Sequence, residues 1–208
     1  MTVLVLAGGR GRRMKADKAS LDVGGRTLLE HVLVQVEPLF DEVLVGLSPG
    51  QAAPRLPAGS RARFVCDGAP GLGPIGGLLA GLKAARNDAC AVVACDIPDI
   101  DLPLLRALAK AAAAADIAVP VGPSGLREPL FAVYAKSVVP AVEALLARGE
   151  RSLLPLYDLC RTAAVRFDDP GRVRNLNTRA DYEDYLRGPA GRREKRAPAQ
   201  SPGRRTRP

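Results

Sequence analysis

The 208-residue chain has room for one sizeable hydrophobic core, which makes a single domain the default and excludes a large multidomain machine. With 47% hydrophobic and 25% charged residues it has the composition of a folded soluble protein, and no uncharged apolar run approaches the roughly 20 residues a membrane span requires. The formal charge of +8 is unevenly carried: Arg187 to Pro208 hold eight Lys or Arg against Glu194 alone, so the body before them is nearly neutral and nucleic acid is not its expected substrate.

The opening MTVLVLAGG lacks the basic leader and cleavage pattern of a signal peptide, so Val3 to Leu6 reads as a strand and the chain is expected to stay in the cytosol. A helical pattern from Leu28 to Leu39 and a second strand from Glu42 to Gly46 complete a βαβ opening. Arg63 to Cys66 reads as a strand, Gly76 to Ala85 as a helix, and Ala91 to Cys95 as a strand that is apolar throughout, as both-face burial demands. A parallel sheet between helix layers follows. Asp101 before Leu102-Pro103 predicts an N-cap and a helix to about Ala115, followed by strands at Ile117 to Pro120 and Pro129 to Tyr134. Val138 to Arg148 reads as a helix ended by Gly149, and Thr178-x-x-Asp181 as a capping box opening a last short helix. Beyond Gly188 the Pro, Gly, Arg and Ala composition buries too little apolar area to offset the entropy of ordering, which predicts a domain over 1–187 and a disordered basic tail over 188–208.

Cys66, Cys90, Cys95 and Cys160 have no paired C-x-x-C spacing and are expected to be buried thiols without a chemical role. The single His31 has no second histidine with which to build a His-based metal site or a hydrolase triad.

Chemistry concentrates in three segments. Leu6-Ala7-Gly8-Gly9-Arg10-Gly11-Arg12-Arg13-Met14, followed by Asp17-Lys18, leaves the carboxyl end of the first strand, where open α/β sheets bind ligands. Its glycines let backbone N–H groups approach phosphate oxygens, and Arg13 and Lys18 supply cations for a triphosphate. An ordinary glycine-rich turn would explain the glycines but not the clustered cations. Asp96, one residue past the buried strand, is the natural Mg²⁺ ligand, because Mg²⁺ binds nucleotides through one or two carboxylates plus phosphate oxygens. Asp101 is taken as a helix cap, and Asp99 stays open between cap and ligand. Between these sites, the glycine-dense loop from Asp67 to Gly77 suits close contact with a flat or anionic ligand, though such loops also serve as connectors.

LAGGRGRRM…DK, DG…GPIGG, CDIPDID, EPLFAVY and NLNT, in that order and spacing, closely resemble the molybdenum cofactor guanylyltransferases over about residues 2 to 187. The resemblance implies a three-layer, Rossmann-like nucleotidyltransferase fold with a mostly parallel central sheet, joining GMP from GTP to the molybdopterin phosphate with Mg²⁺ and release of pyrophosphate. It implies that Leu6, Ala7, Gly8, Gly9 and Gly11 hug the nucleotide, that Arg13 and Lys18 contact its phosphates, that Asp67 helps hold the guanosine, and that Asp96 binds GTP and Mg²⁺. Arg13, Lys18 and Asp96 form the expected catalytic set, while Glu128, Asn175 and Asn177 are candidates for the second substrate, since amides pair with a pterin's donor and acceptor edge. Contact with molybdenum-insertion or molybdoenzyme-maturation proteins is a further implication. The sequence departs from the family after the second strand, where an asparagine is common and this chain reads Val45-Gly46-Leu47-Ser48, so Ser48 or a backbone group is expected to substitute. Two alternatives share some of these residues: a cytidylyltransferase or sugar-phosphate nucleotidyltransferase using the same loop, and a nucleic-acid or acidic-partner binder acting through the Arg-rich tail.

Overall fold

The apolar run at the start of the chain forms β1 (Thr2–Leu6), buried along its whole length. In the computed structural model, which describes residues 1–8 and 18–188, a small hairpin follows: β2 (Asp22–Val23) and β3 (Arg26–Thr27), turning at Gly24-Gly25. Thr27 then caps α1 (Leu28–Val36) in a reciprocal capping box with Glu30. The chain continues through β4 (Glu42–Leu47), β5 (Arg63–Cys66), α2 (Pro74–Ala84) and β6 (Ala89–Ala94). Asp101 caps α3 (Leu102–Ala111) by accepting from the Leu104 N–H at 2.8 Å, as the sequence predicts. The second half holds β7 (Ile117–Val121), β8 (Phe131–Ala135), α4 (Val139–Ala147), a single turn α5 (Leu156–Leu159), β9 (Thr162–Arg166) and α6 (Arg179–Arg187). Thr178 and Asp181 make the predicted capping box at α6, and among the described residues no helix is long and apolar enough to cross a membrane.

The seven long strands form one sheet in the order β5-β4-β1-β6-β8-β7-β9. Alternation along each strand sorts its side chains into two cores. Val3, Val5, Val43, Val45, Ala91 and Val93 pack toward α1 and α3, while Leu4, Leu6, Leu44, Cys90 and Val92 pack toward α2, α4 and α5. The result is the three-layer architecture expected. The helix α2 lies so close to β1 that a Cβ at Gly81 would come within 2.3 Å of the Leu4 side chain, and one at Gly77 within 2.8 Å of Leu6. Part of the glycine density of that segment therefore serves helix-to-sheet packing rather than ligand contact. A third, small cluster of Val23, Leu28, Leu176 and Tyr185 fastens the hairpin and α6 together.

The sheet is mostly but not wholly parallel: β8 runs antiparallel to both β6 and β7. This reversal matters for the site, because it carries the start of β8 to the carboxyl edge of β6. The cysteines also divide. Cys90 and Cys95 are buried as expected, with burial pushing the Cys90 thiol up to about 12, but Cys66 is exposed and Cys160 half-buried, all four as free thiols. Cys66 escapes burial because β5 is the edge strand, paired only with β4.

Candidate active site

The order of strands reverses at β1: the chain first builds outward through β4 and β5, then returns to place β6 on the other side. Such a switch point leaves a crevice at the carboxyl ends of the strands, and the predicted site residues gather there. Leu6 and Ala7 end β1 on the ladder, with the Ala7 N–H donating to the Gly46 carbonyl at 2.9 Å and the Cys95 N–H donating to the Leu6 carbonyl at 3.0 Å. Gly8 is exposed and flat against the end of β4, where a Cβ would meet the Ser48 nitrogen and hydroxyl at 2.9 Å each. Gly9, Gly11 and Arg13, expected to cradle the phosphates, lie outside the described residues.

Two of the predicted residues, Asp96 and Asn177, meet on Lys18, which sits in the 3₁₀ turn Lys18–Ser20. Its ammonium donates to Asp96 Oδ2 at 2.7 Å and to Asn177 Oδ1 at 3.2 Å. Lys18 and Asp96 each expose 18% of their side chains, so the pair is shielded yet reachable. The Asn175 amide reaches across to Glu128, Nδ2 donating to Oε2 at 3.3 Å. Burial raises the Glu128 carboxyl above its usual value; the Asn175 amide opposes that shift, and the nearby charge of Asp96 adds to it. Two backbone contacts deliver these groups: the Leu176 N–H donates to the Asp96 carbonyl at 2.8 Å, and the Ala94 N–H donates to the Leu130 carbonyl at 2.8 Å. Nucleotide-side and acceptor-side candidates thus meet on one lysine.

Asp67 stands apart from this cluster. It follows β5, its N–H donating to the Leu47 carbonyl at 3.2 Å, and its Oδ1 lies 3.4 Å from where a Gly77 Cβ would be. Desolvation pushes its carboxyl up from 3.8 to about 6. A carboxylate kept uneasy by burial has most to gain from donors that a ligand brings.

The three aspartates of the CDIPDID segment have separate roles. Asp96 faces Lys18. Asp99, the one left open, accepts from the Tyr185 hydroxyl at 3.0 Å and lies 3.9 Å from His31 Nε2. His31 above all holds its carboxyl below the ordinary value, against the cost of burial. Asp101 caps α3 and takes a two-pronged contact from Arg172, at 2.6 and 2.9 Å. Asp99 and Asp101 thereby fasten the segment after β6 to α1, α6 and the Arg172 loop.

Sequence reading missed Gln51. In the turn after β4 its Nε2 donates to the Ala7 carbonyl at 3.0 Å, and its Oε1 accepts from the Ser48 N–H at 3.1 Å. The signal available was an amide side chain in the Ser-Pro-Gly-Gln turn just after β4. Arg127 was missed as well; its guanidinium lies 5.0 Å over the Tyr157 ring, beside Glu128. Among the described residues no group of three or more His, Cys, Asp or Glu side chains is arranged to hold a metal ion by itself.

Both the sequence and the fold resemble those of known proteins. The family described as MobA-like NTP transferase domain matches residues 3–162. A protein of Pseudomonas putida strain F1 named molybdenum cofactor guanylyltransferase is 40% identical over 158 residues, covering 73% of this chain and 79% of that protein. A probable molybdenum cofactor guanylyltransferase of Carboxydothermus hydrogenoformans is 32% identical over 195 residues, covering 90% of this chain and 95% of the relative. Among solved structures, molybdopterin-guanine dinucleotide biosynthesis protein A from Archaeoglobus fulgidus superposes with a TM-score of 0.74 at 27% identity, covering 88% of this chain and 96% of the other.

Proposed function

The chain belongs to the MobA-like NTP transferase domain family, and we propose that it transfers GMP from GTP to the phosphate of molybdopterin, releasing pyrophosphate. The observation that carries this reading is the Lys18 ammonium held between Asp96 and Asn177, because it joins a nucleotide-side carboxylate to an acceptor-side amide at the carboxyl edge of the sheet.

Phosphoryl transfer of this kind is chiefly positioning and charge neutralisation. The attacking phosphate oxygen is already ionised, so no base is required. It forms a bond to the α-phosphorus as the bond from that phosphorus to the pyrophosphate oxygen breaks, and pyrophosphate carries the electron pair away. We assign Lys18 and Arg13 the charge on the α-phosphate and leaving group, and Leu6, Ala7, Gly8, Gly9 and Gly11 the close backbone contact with the nucleotide. Asp67 accepts from the guanine edge, and Glu128, Asn175 and Asn177 orient the pterin side.

A divalent cation, Mg²⁺ in this reading, fits the residues present. One shielded carboxylate plus substrate phosphate oxygens is its usual nucleotide-bound set, and Asp96 Oδ1 accepts no hydrogen bond among the described residues. Asp96 would hold the ion, which supplies positive charge to the phosphates. Transfer is assigned to residues 1–187, with 188–208 as a basic appendage outside the reaction. The test is to offer GTP, CTP, UTP and ATP to the purified full chain with molybdopterin or with sugar 1-phosphates and to measure pyrophosphate release. Release is expected with GTP and molybdopterin together. Preference for CTP, or for a sugar phosphate, would replace the reading with one of the alternatives.

A further inference from the structure

We propose that Gln51 is a positioning residue that sets the base end of the nucleotide pocket, and with it the affinity and base choice of this chain. The inference rests on the guanylyltransferase reading for the ligand, but its geometry is independent of it. Gln51 closes a turn whose backbone already stands without its side chain, since its own N–H donates to the Ser48 carbonyl at 3.0 Å. The side-chain amide does something further. It spends both ends on two different strand termini, donating to the Ala7 carbonyl at 3.0 Å and accepting from the Ser48 N–H at 3.1 Å.

These two termini frame the pocket. Ala7 leads directly into Gly8, which lies on Ser48 with no room for a Cβ. On the far side of Ser48, the Leu47 carbonyl holds the Asp67 N–H at 3.2 Å. Gln51 is therefore the clasp in a continuous path from the loop after β1, through the end of β4, to the carboxyl group that burial has raised to about 6. A base lying between Gly8 and Asp67 is read only if those groups keep a separation good to about 0.5 Å, and a clasp supplying two hydrogen bonds preserves that separation. Packing does not account for the residue: it is polar, only partly buried, and outside both hydrophobic cores. From its place three residues after Ser48, the amide reaches back across the turn to the ends of both strands.

The test uses the full chain carrying Gln51→Leu, which removes both contacts, and Gln51→Glu, which keeps an acceptor for Ser48 but sets a carboxylate against the Ala7 carbonyl. GTP and inosine triphosphate, which lacks the 2-amino group, are titrated calorimetrically, and KM, kcat and Tm are measured. Gln51→Leu is expected to weaken GTP binding and raise its KM about tenfold, to narrow the preference for GTP over inosine triphosphate by a similar factor, and to leave kcat within twofold. Gln51→Glu should behave likewise, and Tm should fall in both by no more than the roughly 2–10 °C that two lost hydrogen bonds account for. Unchanged affinity and base preference would overturn the proposal. So would a fall in kcat, or a fall in Tm unaccompanied by any change in GTP affinity or KM, which marks a merely structural residue. A wild-type protein with no preference for GTP would instead overturn the reading on which the ligand rests.

Discussion

Replacing Asp67 with asparagine is expected to make the protein more stable at neutral pH while weakening its hold on GTP. The Asp67 carboxyl is raised from 3.8 to about 6 by desolvation, so the folded state binds its proton more readily than the unfolded chain does. The sign follows: stability from this group is fully present below about pH 4, is lost as pH rises through about 6, and stays reduced above that. A shift of this size corresponds to about 3 kcal/mol at full strength, and screening by the solvent that still reaches this half-buried group reduces it to about 1–2 kcal/mol. Asparagine has no charge to desolvate. In urea denaturation, Asp67→Asn should match the wild type near pH 4 and exceed it by about 1–2 kcal/mol at pH 8, while GTP binding falls about 10- to 100-fold through loss of a charged acceptor. Equal differences at the two pH values, or a variant less stable at pH 8, would refute the assignment of the shift to desolvation.

Three other outcomes are expected. In the absence of nucleotide, Lys18→Met should bind Mn²⁺ about tenfold more tightly than wild type, because the ammonium no longer occupies Asp96 Oδ2 and repels the ion; Asp96→Asn should lose binding in either background, and equal affinities in Lys18→Met and wild type, measured by electron paramagnetic resonance, would show that the ion pair does not compete. Ending the chain after Arg187 should leave kcat/KM for GTP within about twofold while abolishing any salt-sensitive nucleic-acid binding in a filter assay; loss of transfer would draw the tail into the reaction. Gly81→Ala should cost about 1–3 kcal/mol in chemical denaturation, since its Cβ would lie 2.3 Å from the Leu4 side chain, and a neutral result would mean that α2 can withdraw from β1.

The fold was legible wherever its cause is local. Val3 to Leu6 and Ala91 to Ala94 advertise both-face burial as unbroken apolar runs, and the caps at Asp101 and Thr178 lie within three residues of the N–H groups they satisfy. Other features left weaker traces. The hairpin at Asp22 to Thr27 has strands of only two residues, although Gly24-Gly25 is a turn signal, and β9, the last strand, is only partly buried and carries no unbroken apolar run. The exposure of Cys66 depends on which strand ends the sheet, and nothing in RFVC states that.

By itself the sequence determined the αβα class, the glycine loop at the end of the first strand, and the identities of the residues able to carry the chemistry, because residue type, period and spacing are written along the chain. Only the tertiary structure decided their assembly. The reversal of β8 brings Glu128 to the edge where Asp96 stands, Lys18 meets Asn177 across 159 residues, and Gln51 reaches Ala7 across 44. Such contacts are set by strand order and direction, which arise from the joint burial of whole faces and not from any one segment. That is also why the same motif yields three aspartates with different roles: Asp96, Asp99 and Asp101 are neighbours in sequence, but Lys18, His31 with Tyr185, and Arg172 reach them from separate parts of the fold.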